Sequence, residues 1–228
     1  MNTNSNSYTI IYAAVMVVIV AFLLAFVNSS LRDTQTKNIE LDTKKQILAS
    51  LGIRGIADAE AEYNKVVKAH MLVQADGSLQ TYDDTKGFVT NFERDYKENQ
   101  NNHLFVCEVD GTTKYVIPVY GVGLWGSIWG YVALNDDKTT IYGTYFAHAS
   151  ETPGLGAEIA GEKFQSAFKN KKVLKGDSIA IGVEKRVQPE DVPYQVDGIS
   201  GSTITSKGVD AMLKQSMSGY NQFLISQQ

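Results

Sequence analysis

The run HLFVCEVDGTTKYVIPVY, His103 to Tyr120, decides the fold. His103 to Val109 and Tyr115 to Tyr120 are rich in β-branched, aromatic and other apolar residues, and Asp110-Gly111 stands between them. Asp-Gly suits a tight turn whose central residues need positive φ, so the spacing predicts a β-hairpin. Working outward, Gly130 to Leu134, the Asn135-Asp136-Asp137 turn and Thr140 to Ala147 continue the strand pattern. Upstream, Met71 to Gln74 leads into another Asp-Gly pair, Asp76-Gly77, and a further strand is predicted at Ser178 to Val183. Helical periodicity flanks these strands. Gln35 to Leu51 carries Ile39, Leu41, Ile47, Leu48 and Leu51, with Gly52 as its stop; Ala57 to Lys68 and Ala157 to Phe168 follow. Val209 to Leu224 places Val209, Met212, Leu213, Met217, Tyr220, Phe223 and Leu224 on one face. Helices flanking a mostly antiparallel sheet predict an α+β domain.

The mean hydropathy of -0.16 conceals two unlike parts. Tyr8 to Val27 holds no charged residue, and as a helix it spans roughly 30 Å, the thickness of a bilayer's hydrocarbon core. A cleaved signal peptide would carry a basic leader and a small-x-small exit, whereas Met1 to Ser7 has no Lys or Arg and the run exits through Ala25-Phe26-Val27-Asn28. No polar face marks it as a core helix. The expected organisation is a tail at 1–7, a transmembrane helix at 8–27, a juxtamembrane linker and helix at 28–55, and a domain at 56–228. Arg32, Lys37, Lys44 and Lys45 follow the span and nothing basic precedes it. Charge bias alone would keep the domain in the cytoplasm, a rule that weakens for large domains.

The formal charge of -4 and the pI near 5.4 exclude the basic stripe of a nucleic-acid binder. A lone cysteine, Cys107, excludes an internal disulfide and a Cys-ligated metal site. His70, His103 and His148 are far apart in sequence and in no ligand pattern, so no metal site is expected. Any redox chemistry must come from an organic cofactor.

Three glycine-rich stretches suggest where that cofactor sits. Tyr120 to Gly130 interleaves Gly121, Gly123, Gly126 and Gly130 with Trp125 and Trp129, so backbone can approach a flat ligand and an indole can stack on it. A tight loop over two core tryptophans reads the same way. His148 to Gly156 holds a Pro153-Gly154 turn between Glu151-Thr152 and Leu155-Gly156, which would equally serve as a plain strand-to-helix connection. Asp197 to Gly208 gathers Ser200, Gly201, Ser202, Thr203 and Thr205 ahead of the last helix, where free N–H groups and the helix dipole favour phosphate. The spacing is not a Walker loop, since Lys207 follows the hydroxyls. An aromatic face, a polar rim and a phosphate end suit a mononucleotide such as FMN.

At these residues the sequence resembles the covalent-FMN domain family shared by the C subunit of Na+-translocating NADH:quinone reductases and the G subunit of Rnf-type ferredoxin:NAD oxidoreductases. The family's flavinylation signature, Ser/Thr-Gly-Ala/Ser-Thr-x-Thr, is matched by Ser200 to Thr205, with Ser202 where Ala is commoner. Its Glu-Thr-Pro-Gly-Leu-Gly element stands at Glu151 to Gly156 and its Gly-Leu-Trp-Gly element at Gly123, Leu124, Trp125 and Gly126. The tract Asn38 to Leu48 resembles the helix following the anchor in the quinone reductase member of the family. The resemblance implies FMN joined to Thr205 by a phosphoester, with Trp125 and Leu155 enclosing the flavin ring. Glu151 and Thr152 are implied to contact the flavin or its ribityl chain, and the backbone of Gly201 to Thr203, with Lys207, to hold the phosphate. It further implies partner subunits in the bacterial inner membrane, a separate flavin transferase, and a soluble domain outside the cytoplasm, against the charge bias. No residue is expected to do acid–base chemistry on a substrate. An anchored binding module without flavin is the competing reading from another class.

Overall fold

The computed structural model describes residues 5–83, 85 and 87–226. Residues 1–4 of the expected tail lie outside the described residues. The chain divides into two compact units, 1–41 and 42–228. The expected linker and helix at 28–55 thus straddle that division.

One continuous helix, α1 (Asn6–Ser50), runs through the residues of the expected anchor and on into the helix expected at Gln35 to Leu51. The residues between the two patterns, Asn28 to Thr34, contain neither Gly nor Pro and nothing breaks the backbone ladder there. Its apolar stretch is long enough to cross a membrane and is unburied. The helix stops where Gly52 was expected to stop it. Gly52 has φ 79°, its N–H donates to the Ala49 carbonyl, and the Ile53 N–H donates to the Leu48 carbonyl. These paired bonds satisfy carbonyls that a helix end leaves open.

The domain is α+β, as expected. After α2 (Ala59–Val66), capped by the Asp58 carboxylate accepting from the Ala61 N–H at 3.0 Å, β1 (Val67–Val73) begins immediately. The helix expected to reach Lys68 is therefore cut short by β-branched Val66 and Val67. β2 (Leu79–Thr81) returns through the Asp76-Gly77 turn. A helix that apolar periodicity does not reveal, α3 (Phe92–Asn99), follows. Next come β3 (Asn102–Val109), β4 (Thr112–Val122), β5 (Ser127–Leu134) and β6 (Ile141–His148). The predicted Asp110-Gly111 turn joins β3 and β4 with both φ values positive, 51° and 72°. The sheet runs β2-β1-β3-β4-β5-β6, antiparallel throughout.

Both sheet faces are covered, which explains why β4 and β5 read as nearly unbroken apolar runs. One face sends Leu104, Ile117, Val119, Ile128, Val132 and Leu134 into the main core. That core is closed by α4 (Glu162–Ser166) and by the C-terminal helices α5 (Thr203–Ser218) and α6 (Asn221–Ile225). The single helix expected at Val209 to Leu224 starts a turn and a half earlier and breaks between Ser218 and Asn221, at Gly219. The other face buries Phe105, Cys107, Val116, Tyr131 and Ala133. There Phe92 of α3 meets Phe105 and Tyr131 edge-on, and Gln46 near the end of α1 accepts from the Trp129 indole at 3.0 Å.

Between β6 and α5 the chain is less regular than expected. The predicted helix from Ala157 to Phe168 is a 3-10 turn (Gly156–Ala160) and a short α4 (Glu162–Ser166), divided by Gly161. The strand at Ser178 to Val183 is divided too. β7 (Leu174–Lys175) pairs with β8 (Ser178–Ile179), while β9 (Gly182–Glu184) pairs in parallel with β10 (Gln195–Asp197).

Candidate functional site

Three segments distant in sequence meet at the N-terminus of α5. The first glycine-rich stretch is the tip of the β4–β5 hairpin. β4 runs to Val122 and β5 begins at Ser127, leaving Gly123 to Gly126 as the turn, closed by the Gly123 N–H donating to the Gly126 carbonyl at 2.8 Å. The second stretch leaves β6 and passes beside that tip, where the Ser150 hydroxyl donates to the Trp125 carbonyl at 2.8 Å. The third opens α5. Its loop is tied down by the Ile199 N–H donating to Ser206 Oγ at 3.0 Å and by Asp197 Oδ1 accepting from the Val187 N–H at 2.8 Å. α5 itself lies along β4, with the Tyr120 N–H donating to Ser216 Oγ at 3.2 Å.

Glu151 joins the three. One carboxylate oxygen, Oε1, accepts from the Trp125 backbone N–H at 2.8 Å, and the other, Oε2, accepts from the Thr205 hydroxyl at 2.7 Å. The Glu151 N–H in turn donates to His148 Nδ1 at 3.2 Å. Glu151 is 4% exposed and Thr205 1% exposed, so this carboxylate–hydroxyl pair is withdrawn from solvent. Glycine lets the backbone approach it closely on both sides. A Cβ at Gly123 would strike Oε1, and one at Gly156 would strike Oε2 and lie 2.6 Å from Thr205 Oγ1.

Ser202 is the residue flanking α5, yet its side chain caps no backbone N–H. Its hydroxyl instead donates to Thr205 Oγ1 at 3.3 Å. The first-turn N–H groups of a helix have no intrahelical acceptor and carry the positive end of its dipole. Such an end can accept an anion next to Thr205.

The outer surface suits a flat apolar ligand. Trp125 is 66% exposed, Leu155 42% and Leu124 47%, with Val122 and Ile204 also exposed. Leu155 lies over the loop of the third stretch, since a Cβ at Gly201 would be 3.1 Å from Leu155 Cδ2. An indole this open, held by its backbone to a buried carboxylate, is placed to meet something from outside the chain. The uncapped helix end and the exposed indole together fit FMN.

The sequence-derived residues do not all share this arrangement. Thr205, Ser202, Glu151, Gly123, Trp125, Gly126, Leu155, Gly156 and Gly201 converge, and Thr203 is exposed on the first turn of α5. Thr152 is exposed, and its carbonyl accepts from the Leu155 and Ala157 N–H groups. Lys207 lies two residues beyond Thr205, about 200° around the helix, and is exposed apart from the cluster. Ser200 lines a separate cavity of about 660 Å³ with Phe164, Val187, Val196 and Ile199. That cavity reaches neither Thr205, Glu151 nor Trp125. Ser150 and His148 support the site as backbone partners, a role that no sequence pattern signals.

Comparison with known proteins gathers these residues into one unit. Residues 123–218, from the hairpin tip to the end of α5, match the family model described as the FMN-binding domain. The C subunit of the Na+-translocating NADH-quinone reductase (NqrC) of Haemophilus ducreyi is 30% identical over 232 residues, covering 93% of this chain and 90% of its own. Its counterpart in Pseudomonas aeruginosa is 27% identical, covering 93% and 91%. The crystal structure of the C subunit from Parabacteroides distasonis superposes with a TM-score of 0.78 at 41% identity, over 87% of this chain and 98% of the other. NqrC of Shewanella oneidensis, 24% identical with a TM-score of 0.67 over 83% and 99%, shares the fold. The chain therefore belongs to the NqrC family of Na+-translocating NADH-quinone reductase subunits, and the domain that carries this site is an FMN-binding domain.

Proposed function

We propose that this chain is the membrane-anchored flavoprotein subunit of a Na+-translocating NADH:quinone reductase, carrying FMN on Thr205 through a phosphoester and relaying electrons between other subunits. The reading rests above all on the Thr205 hydroxyl, which lies on the uncapped first turn of α5 and donates to the same Glu151 carboxylate that accepts from the Trp125 N–H. FMN supplies one- and two-electron redox chemistry when bound, and the protein tunes it. Trp125 and Leu155 enclose the ring, Glu151 and Thr152 line the flavin or ribityl side, and the α5 N-terminus with the Gly201 to Thr203 backbone holds the phosphate. Lys207 adds positive charge on the same helix end without contacting Thr205.

Tethering through a covalent bond keeps a soluble cofactor at an open surface. The α1 span would anchor the chain in the bacterial inner membrane, with the domain outside the cytoplasm. The complex as a whole would couple NADH oxidation and ubiquinone reduction to Na+ export. A separate flavin transferase would carry out the attachment at Thr205. NqrC relatives along nearly the full chain favour this parent complex over the Rnf type.

Denaturing electrophoresis under ultraviolet light, after co-expression with a flavin transferase, tests the reading. The wild-type band is expected to fluoresce and to gain the mass of FMN less water, and Thr205→Ala to be dark. A dark wild-type band would instead support an anchored module without flavin.

A further inference from the structure

We propose that Glu151 is the proton acceptor for the attachment itself, so that this protein supplies half of the catalytic machinery of its own modification. The inference rests on Thr205 being the flavin acceptor. Its basis is a charge in an unexpected place. Beside the Ser202 hydroxyl, the side chain touching Thr205 Oγ1 is a carboxylate, 2.7 Å away and 4% exposed, at a helix end that favours anions. Fixed beside an incoming phosphate, that negative charge is repulsive unless it takes up a proton as the bond forms.

The geometry suits that task. A threonine hydroxyl is a weak nucleophile and gains from an adjacent base within hydrogen-bond reach. Ser202 donates to Thr205 Oγ1 at 3.3 Å and occupies one of its lone pairs, while Thr205 directs its own hydrogen to Glu151 Oε2. Oε1 is held by the Trp125 N–H, and Gly123 and Gly156 crowd the carboxylate from both sides. The base is thus fixed before any donor arrives. His148, whose Nδ1 accepts from the Glu151 N–H, is a titratable group bonded to the same residue.

In the step, Thr205 Oγ1 bonds to the flavin-side phosphorus of a flavin dinucleotide held by the transferase. The bond from that phosphorus to the bridging oxygen breaks, and the nucleoside monophosphate leaves with the electron pair. The Thr205 proton passes to Glu151 Oε2. Glu151 ends neutral and faces the new phosphodiester as a hydrogen-bond donor, which removes the repulsion.

The test follows single-turnover attachment by intact mass, with purified transferase, flavin dinucleotide and full-length chain in detergent, across pH. Glu151→Gln keeps the size and the acceptor for the Trp125 N–H. It is expected to slow attachment at least about 100-fold, the lower range for general-base catalysis. It is also expected to lose the acid limb of the wild-type pH profile while melting like wild type. Wild-type speed in this variant overturns the proposal, as does slow attachment that keeps the acid limb, which would leave Glu151 a merely structural support. Should the variant not fold, the wild-type profile alone decides, since a rate that does not fall on the acid side where the protein stays folded overturns it. Failure of the underlying reading looks different: the wild-type chain would gain no mass at all.

Discussion

Trp125 and Trp129 stand four residues apart in one glycine-rich stretch and have opposite fates. Trp129 lies within β5 and donates its indole N–H to Gln46, whereas Trp125 caps the hairpin tip in solvent. Trp125→Ala is accordingly expected to leave attachment at Thr205 intact but to shift the flavin absorption spectrum and potential; an unchanged spectrum would rule out stacking. The histidines carry another residue-scale consequence. His70 and His103, 33 positions apart in the chain, share a bond of 2.8 Å, and His103 Nε2 meets Asp95 Oδ2 at 2.6 Å. Burial, followed by the neighbouring His103, pushes the His70 pKa down from 6.5 to about 3. Burial also lowers His103, against the raising effect of Asp95. For groups whose folded pKa lies below the unfolded one, the unfolded chain binds the extra proton. The stability is therefore whole above about pH 6.5 and is lost as pH falls toward 3. Denaturant midpoints are expected to fall from pH 7 to 5, and His70→Phe to flatten that slope.

Among the elements, α3 shows why some of the fold escapes a sequence reading. Phe92 is its only buried residue, so apolar periodicity is absent, although the end signals are present. Asn91 Oδ1 accepts from the Arg94 N–H at 2.9 Å, Glu93 and Asp95 occupy the first turn, and Glu93–Lys97 and Arg94–Glu98 pair four residues apart. The helix places Phe92 and Asp95 against the His103 side of the sheet. Asn91→Ala removes the cap and is expected to cost about 1 kcal/mol in chemical denaturation. The C-terminal helix illustrates the converse. Its apolar face is legible from Val209 onward, but the turn before it reads as a loop. That turn is rich in hydroxyls, and its one apolar residue, Ile204, is exposed, so no apolar face marks it as helix.

For the whole molecule, the division at Leu41/Asp42 assigns the last turns of α1 to the domain, where Ile47, Leu48 and the following Leu51 are fully buried. A chain beginning at Asp42 is expected to remain soluble without detergent and to melt cooperatively. One beginning at Ile56 forfeits those three side chains, each worth roughly 1.5–3 kcal/mol of burial, and is expected to aggregate. Size exclusion with thermal melting distinguishes the two.

By itself the sequence determined the apolar span, the Asp-Gly hairpins, the α+β class and the three glycine-rich motifs. Each of these is written locally, in hydropathy, in turn residues that need positive φ, or in short runs of fixed spacing. Only the tertiary structure decided which motif residues act together. It drew Glu151 onto Thr205, fifty-four positions away in the chain, and left Lys207 on another side of the helix. It also separated the open tryptophan from the one that packs. Those choices depend on which strand ends beside which helix and how closely glycine lets them approach, and no window along the chain contains that information.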